Sequence, residues 1–203
     1  VEIKNKKILQ KNIDFINNIN LGSGVKWVRD GWIAVDKCHE KTNDKRVLAI
    51  DVTNGGLLKY FKPNTIDSIY TSHTLEHFTF SETQQILKDC YNILKPNRLI
   101  RIVVPDLDIC ITKYYNKDYE WWKNNQINPK TNLIDDLEMS NYFIRSIGAN
   151  NNIFNVDRND RDTIRGAHLS VYNFSILNKL LVDTGFSVIK KLEYNECSEI
   201  FTG

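Results

Sequence analysis

Apolar positions along the chain gather into short runs that alternate with amphipathic stretches, the pattern of strands and helices in turn. Phe15 to Leu21 predicts a first strand, ending in Asn20-Leu21-Gly22-Ser23-Gly24. Gly31-Trp32-Ile33-Ala34-Val35-Asp36 predicts a second strand, Arg46-Val47-Leu48-Ala49-Ile50-Asp51 a third and Ile66-Asp67-Ser68-Ile69-Tyr70 a fourth. A helix is expected from Glu82, with Ser81 as its N-cap and Gln84 at the capping-box spacing. Its Ile86, Leu87, Cys90, Tyr91 and Leu94 share one face, which suits burial against a sheet. Lys95-Pro96-Asn97 stops that helix, with Asn97 suited to a left-handed turn. Leu99 to Val104 predicts a fifth strand, stopping at Pro105-Asp106.

Residues 107–165 break this rhythm. Ile109, Ile111, Tyr114 and Tyr115, then Trp121, Trp122, Leu133, Leu137, Tyr142, Phe143 and Ile147, predict further helices. Asn150-Asn151-Asn152 and residues 157–162 predict exposed loops. A last helix is expected from Asn173-Phe174-Ser175 to Gly185, followed by a sixth strand over Phe186 to Leu192. Strand–helix alternation of this kind predicts an α/β fold: an open, mostly parallel sheet of about six strands with helices on both faces. Residues 1–203 are expected to form a single domain, with 107–165 an insertion or lid after strand five, packed as satellite core or carrying a substrate pocket.

Composition narrows the classes of function. Hydrophobic residues make up 41% and charged residues 26%, the balance of a soluble globular protein. A net charge of +2 predicts neither a nucleic-acid partner nor an anionic membrane surface. Cys38, Cys90, Cys110 and Cys197 are scattered, with no CxxC pair, so neither a zinc cluster nor a disulfide framework is expected. Such thiols suit a cytoplasmic location. No apolar run has the length of a membrane span and no signal peptide is visible.

Chemistry in an open α/β sheet sits at the carboxyl ends of the strands. Gly22 and Gly24 let the backbone turn sharply and approach a ligand after strand one. Asp36 closes strand two and faces that turn, the arrangement by which nucleoside-binding folds grip ribose hydroxyls. The short distance between them, and the lack of a third glycine, argue against a dinucleotide site. Thr71-Ser72-His73-Thr74-Leu75-Glu76-His77-Phe78 follows strand four and gathers two histidines and a carboxylate. His73, Glu76 and His77 also fit the H-x-x-E-H pattern of an inverted zinc peptidase. That chemistry needs both rings on one helical face, whereas His73 falls at a strand end, so no metal is expected.

In these residues the chain resembles the class I S-adenosylmethionine-dependent methyltransferases, in particular predicted bacterial members with a Leu-Gly-Ser-Gly turn and a following Gly-Trp-Ile-x-Val-Asp. The resemblance spans about residues 16–192 and implies S-adenosyl-L-methionine as cofactor, with S-adenosyl-L-homocysteine as product. It carries cofactor contacts onto Asn20, Leu21, Gly22, Ser23 and Gly24, the ribose onto Asp36, the adenine side onto Asp51 and Val52, and further contacts onto Ser72 and His73. Leu94-Lys95-Pro96 through Pro105-Asp106 and Ala167-His168 through Gly185-Phe186 resemble later parts of the family pattern. Asn97-Arg98 replaces its usual Gly-Gly, and Asn20 stands where many relatives carry an acid. His73, His77, Asp106 and His168 are the candidate catalytic groups for taking a proton from an acceptor. The implied acceptor is a small molecule or glycan precursor. A cofactor-binding protein without catalysis, and a zinc hydrolase using His73, Glu76 and His77, are the alternatives. The family's seventh strand has no clear counterpart after Tyr194, which predicts either homo-oligomerisation through an open sheet edge or a natural chain continuing beyond Gly203.

Overall fold

The computed structural model describes residues 18–24, 27–37, 44, 46–53, 55–125, 135–147, 168–193 and 196. Two compact units divide the chain: 1–74, 80–103 and 178–203 in the first, 75–79 and 104–177 in the second.

The first unit is built on five parallel strands: β1 (Asn18–Leu21), β2 (Trp32–Val35), β3 (Val47–Leu48), β4 (Ile66–Ser72) and β5 (Leu94–Val103). Their order is β3-β2-β1-β4-β5, with β1 in register against both β2 and β4. This is the doubly wound order, in which the strand order, not the strand direction, reverses between β1 and β4. All of β2 is buried, as are Ile19 and Leu21 of β1 and Ile66 and Ile69 of β4, so the apolar runs in the sequence are the sheet's core. Strand three is shorter than expected, pairing with β2 only at Val47 and Leu48.

Strand four runs two residues further than its apolar pattern suggests, because Thr71 and Ser72 pair with Ile102 and Val103 of β5. Helix α1 (Phe80–Ile93) starts ahead of the expected Glu82, leaving Ser81 inside its first turn and not at the N-cap. Ile86, Leu87, Cys90 and Ile93 are buried on it, while Tyr91 turns outward to meet Phe186 edge-on with ring centroids 5.2 Å apart. Strand β5 then begins directly at Leu94, pairing with Ile66, and resumes at Leu99 opposite Ser68. Residues 95–98 are thus a bulge, turned by Asn97 at φ 62° and tied to Asp67 by Lys95 at 2.8 Å and Arg98 at 3.1 Å. Among the described residues, 186–193 form no strand, so the sixth strand expected there is absent and the sheet has five.

The second unit holds a 3-10 turn at Leu75–His77 and helices α2 (Leu107–Tyr115), α3 (Tyr119–Asn124) and α4 (Asp136–Ser146). Asp106, Asp118 and Asp135 each cap one of these helices by accepting a backbone N–H. Cys110, Trp122 and Met139 form a small core, with Tyr114, Tyr119, Trp121, Tyr142 and Phe143 packed on it. Burial pushes the Cys110 thiol up to about 11. The aromatic pattern of this stretch therefore makes a local core. The expected loops at 150–152 and 157–162 lie outside the described residues, as do Cys38 and Cys197. Helix α5 (Phe174–Thr184) opens with the Asn173 side chain accepting from Ile176 N at 2.9 Å, and ends at Gly185, φ 118°.

Candidate functional site

The carboxyl ends of β2, β1 and β4 lie side by side in the sheet, and residues of positive φ follow β1 and β4. After β1, Gly22 and Gly24 hold φ 70° and 68°, a region that side chains rarely adopt. Gly22 N and Ser23 N both donate to the Val35 carbonyl, at 2.8 and 3.3 Å, which presses the turn against the end of β2. Asp36 then accepts from Gly24 N at 2.9 Å. The glycine turn and the acid, paired from the sequence because each closes a predicted strand, are thus in direct contact. A side chain added at Gly24 would meet open space.

Gly22 has a different reason to lack a side chain. A Cβ there would strike Thr74 at Oγ1, Cγ2 and Cβ. The Thr74 hydroxyl reaches the carbonyls of Leu21 at 3.3 Å and Ser72 at 3.0 Å, pinning the chain after β4 beneath the turn after β1. The sequence reading passed over Thr74, since nothing in the local pattern marks a threonine as filling the space left by a glycine 52 positions earlier.

Asp51, beyond β3, accepts from Thr53 N at 3.1 Å and Thr53 Oγ1 at 2.7 Å, and pairs with Lys37 at 3.3 Å. Partial burial raises its pKa, but the Thr53 hydrogen bonds and the Lys37 ammonium outweigh that and hold it below the ordinary value. Val52 is buried beside it. Asn20 and Leu21 are 4% and 1% exposed, so their side chains belong to the sheet interior and their backbone leads into the turn. Ser72 is half-buried at the end of β4; His73 is exposed, at φ 50°, and its N–H donates to Val103 O at 3.0 Å.

The other candidate catalytic groups belong to the second unit. Asp106 caps α2, accepting from Asp108 N at 3.0 Å, so its carboxylate already serves the helix. His77 and His168 meet edge-on, 5.2 Å between centroids, and His168 Nδ1 lies 3.0 Å from the Ser146 carbonyl. With Glu76 they bring three ligand-type atoms within 4.8 Å of one another. The H-x-x-E-H spacing pointed to His73 as companion of Glu76 and His77; the fold supplies His168 in that place.

The residues fit an S-adenosylmethionine cofactor. A tight glycine turn admits a ligand close to backbone, the Asp36 carboxylate lies on that turn, and Asp51 stays ionised at the next strand end. Residues 32–102 match the family model described as a methyltransferase domain. Among solved structures, an Archaeoglobus fulgidus protein titled a SAM-dependent methyltransferase is 18% identical, with TM-score 0.48, over 98% of this chain and 76% of that one. The cyclopropane synthase MmaA2 of Mycobacterium tuberculosis is 10% identical, with TM-score 0.45, over 93% of this chain and 61% of its own. A Rhodobacter sphaeroides protein titled a Zn-dependent alcohol dehydrogenase is 12% identical, with TM-score 0.41, over 93% and 82%. No curated protein matches in sequence. Among the described residues, no helix is long and apolar enough to cross a membrane. The matched stretch runs from β2 into β5 of a parallel sheet in Rossmann-like order, so it is residues 32–102 of this chain that are similar to a methyltransferase domain.

Proposed function

We propose that the chain transfers the methyl group of S-adenosyl-L-methionine to a small-molecule acceptor. The observation that carries the reading is the contact of Asp36, inside the stretch similar to a methyltransferase domain, with Gly24 N of the turn upstream of it, at 2.9 Å. The cofactor supplies an already activated methyl on a sulfonium, so the protein's work is alignment of the acceptor and exclusion of water. Asp36 would receive ribose hydroxyls, Gly22 to Gly24 would lie against the ligand, and Asp51 and Val52 would flank the base. His73, exposed at the end of the same row of strands, is the group proposed to take the acceptor's proton. The net charge of +2 favours a small acceptor over a polyanion.

Titration calorimetry with S-adenosylmethionine and S-adenosylhomocysteine tests the reading. One site per chain is expected, and Asp36→Ala should weaken it by about 1.5–3 kcal/mol, the worth of hydrogen bonds to a charged group. Heat with NAD or ATP and none with either sulfur nucleoside would overturn it.

A further inference from the structure

We infer that Glu76, His77 and His168 form a binding site for one divalent first-row cation, with Zn2+ the best fit. Four observations carry this. The three side chains place their ligand-type atoms within 4.8 Å of one another, close enough to share one ion. Glu76 is only 1% exposed, so its carboxylate is already held out of bulk water and presents oxygen donors inside the protein. A carbonyl can only accept, so the 3.0 Å contact from His168 Nδ1 to Ser146 O requires a proton on Nδ1. A neutral His168 ring then keeps its lone pair on Nε2, the outer-partner arrangement by which metal-binding histidines are oriented.

The fourth observation is that backbone hydrogen bonds hold the segments of this cluster together. Leu169 N and Ser170 N both donate to the Glu76 carbonyl, at 2.6 and 3.2 Å. The Ser170 hydroxyl donates to Tyr172 Oη at 2.8 Å, and Tyr172 donates to Leu75 O at 3.3 Å. The turn at Leu75–His77 is thereby clamped to residues 168–172, and ligands far apart in sequence are fixed on one framework. Two imidazoles and a carboxylate are the donor set of catalytic-type zinc and of non-haem iron, and they leave a coordination position for water or an oxygen ligand. Magnesium, which favours an all-oxygen shell, fits poorly.

The site stands or falls independently of methyl transfer, because S-adenosylhomocysteine binding can be measured on the same preparations. The test is calorimetry of the tag-free, chelator-stripped protein with Zn2+, Mn2+ and Mg2+ separately, together with the absorption spectrum of the Co2+ form. One Zn2+ per chain is expected, with Mg2+ much weaker. His77→Gln and His168→Gln should each weaken Zn2+ by at least the ~10–100-fold that loss of even an outer-shell partner costs. His73→Gln should leave Zn2+ affinity unchanged. Because Glu76→Gln alters a buried group, the Co2+ spectrum of the unsubstituted protein provides a second readout, with imidazole-type coordination expected. No Zn2+ binding overturns the proposal. So does binding lost in His73→Gln but kept in His168→Gln, which would return the site to the H-x-x-E-H segment alone.

Discussion

Gly22 shows how one residue can answer to two constraints. A glycine after β1 was expected to admit a ligand, and its φ of 70° agrees with a tight turn. Its missing side chain also makes room for Thr74 of the same unit. Gly22→Ala should therefore destabilise the protein twice over, by about 1–2 kcal/mol for the left-handed backbone and about 1–3 kcal/mol for overpacking. Denaturant unfolding of this variant should show a lowered midpoint, and adding Thr74→Ser should not restore it, since Thr74 Cβ and Oγ1 both stand in the way. Full recovery in the double variant would show that the collision involves only the methyl. Asp36 and the glycine turn were readable because both lie at strand ends marked by apolar runs. The grouping of Glu76, His77 and His168 was not, since its third member arrives from a distant segment through backbone hydrogen bonds that no spacing rule reports.

Elements with long apolar runs were predictable, and their ends were not. The start of β5 is the clearest case. Lys95, Pro96 and Asn97 were expected to end the helix, and they do follow its last residue, yet β4 accepts them as a bulge because Asp67 offers its carboxylate to Lys95 and Arg98. Asn97 takes the left-handed turn expected of it. Asn97→Gly should hold or slightly raise stability, whereas Asn97→Val should cost about 1–2 kcal/mol, the penalty for a side chain unsuited to that region; equal midpoints for the two variants would remove the turn as the reason. At the entrance to β3, Arg46 donates to both oxygens of Asp44, at 3.1 and 2.8 Å, and also to Asp30 at 2.7 Å. The two side-chain bonds from Arg46 to Asp44, with a further one from the Arg46 backbone N–H, lower Asp44 from 3.8 to about 2. A depressed folded-state pKa stabilises above the unfolded value, and that contribution disappears as pH falls from about 3.8 towards 2. The stability gap between the unsubstituted protein and Asp44→Asn should accordingly be constant above that window and close within it; a gap that persists at pH 2 would place its origin elsewhere. The absent sixth strand has a plainer cause. Val188 is 94% exposed, and apolar alternation without a partner strand to pair with does not make a strand.

At the scale of the whole molecule, strand–helix alternation sufficed for a parallel sheet, because right-handed crossovers leave few other ways to pack such a chain. It did not disclose the division into two units, since the second is assembled from the short piece 75–79 and the long piece 104–177. Both flanks of 75–79 are elements of the first unit, β4 on one side and α1 on the other. When β4 and α1 unfold, that five-residue piece stays covalently attached but its two ends are no longer held in place, and neither is the Glu76 carbonyl that receives Leu169 and Ser170. The second unit should then lose protection along with the first. A ligand at 100 times its Kd stabilises by about 2.7 kcal/mol, so S-adenosylhomocysteine bound as proposed at Gly22 to Gly24 and Asp36 would provide a defined push on the first unit. Peptide-resolved hydrogen exchange should show slowing in β1 and β4 and, by a similar factor, at Leu169 and Ser170. Slowing restricted to the strands, with the 168–172 amides unchanged, would mean that the two units open independently and that the clamp on Glu76 survives the unfolding of the sheet.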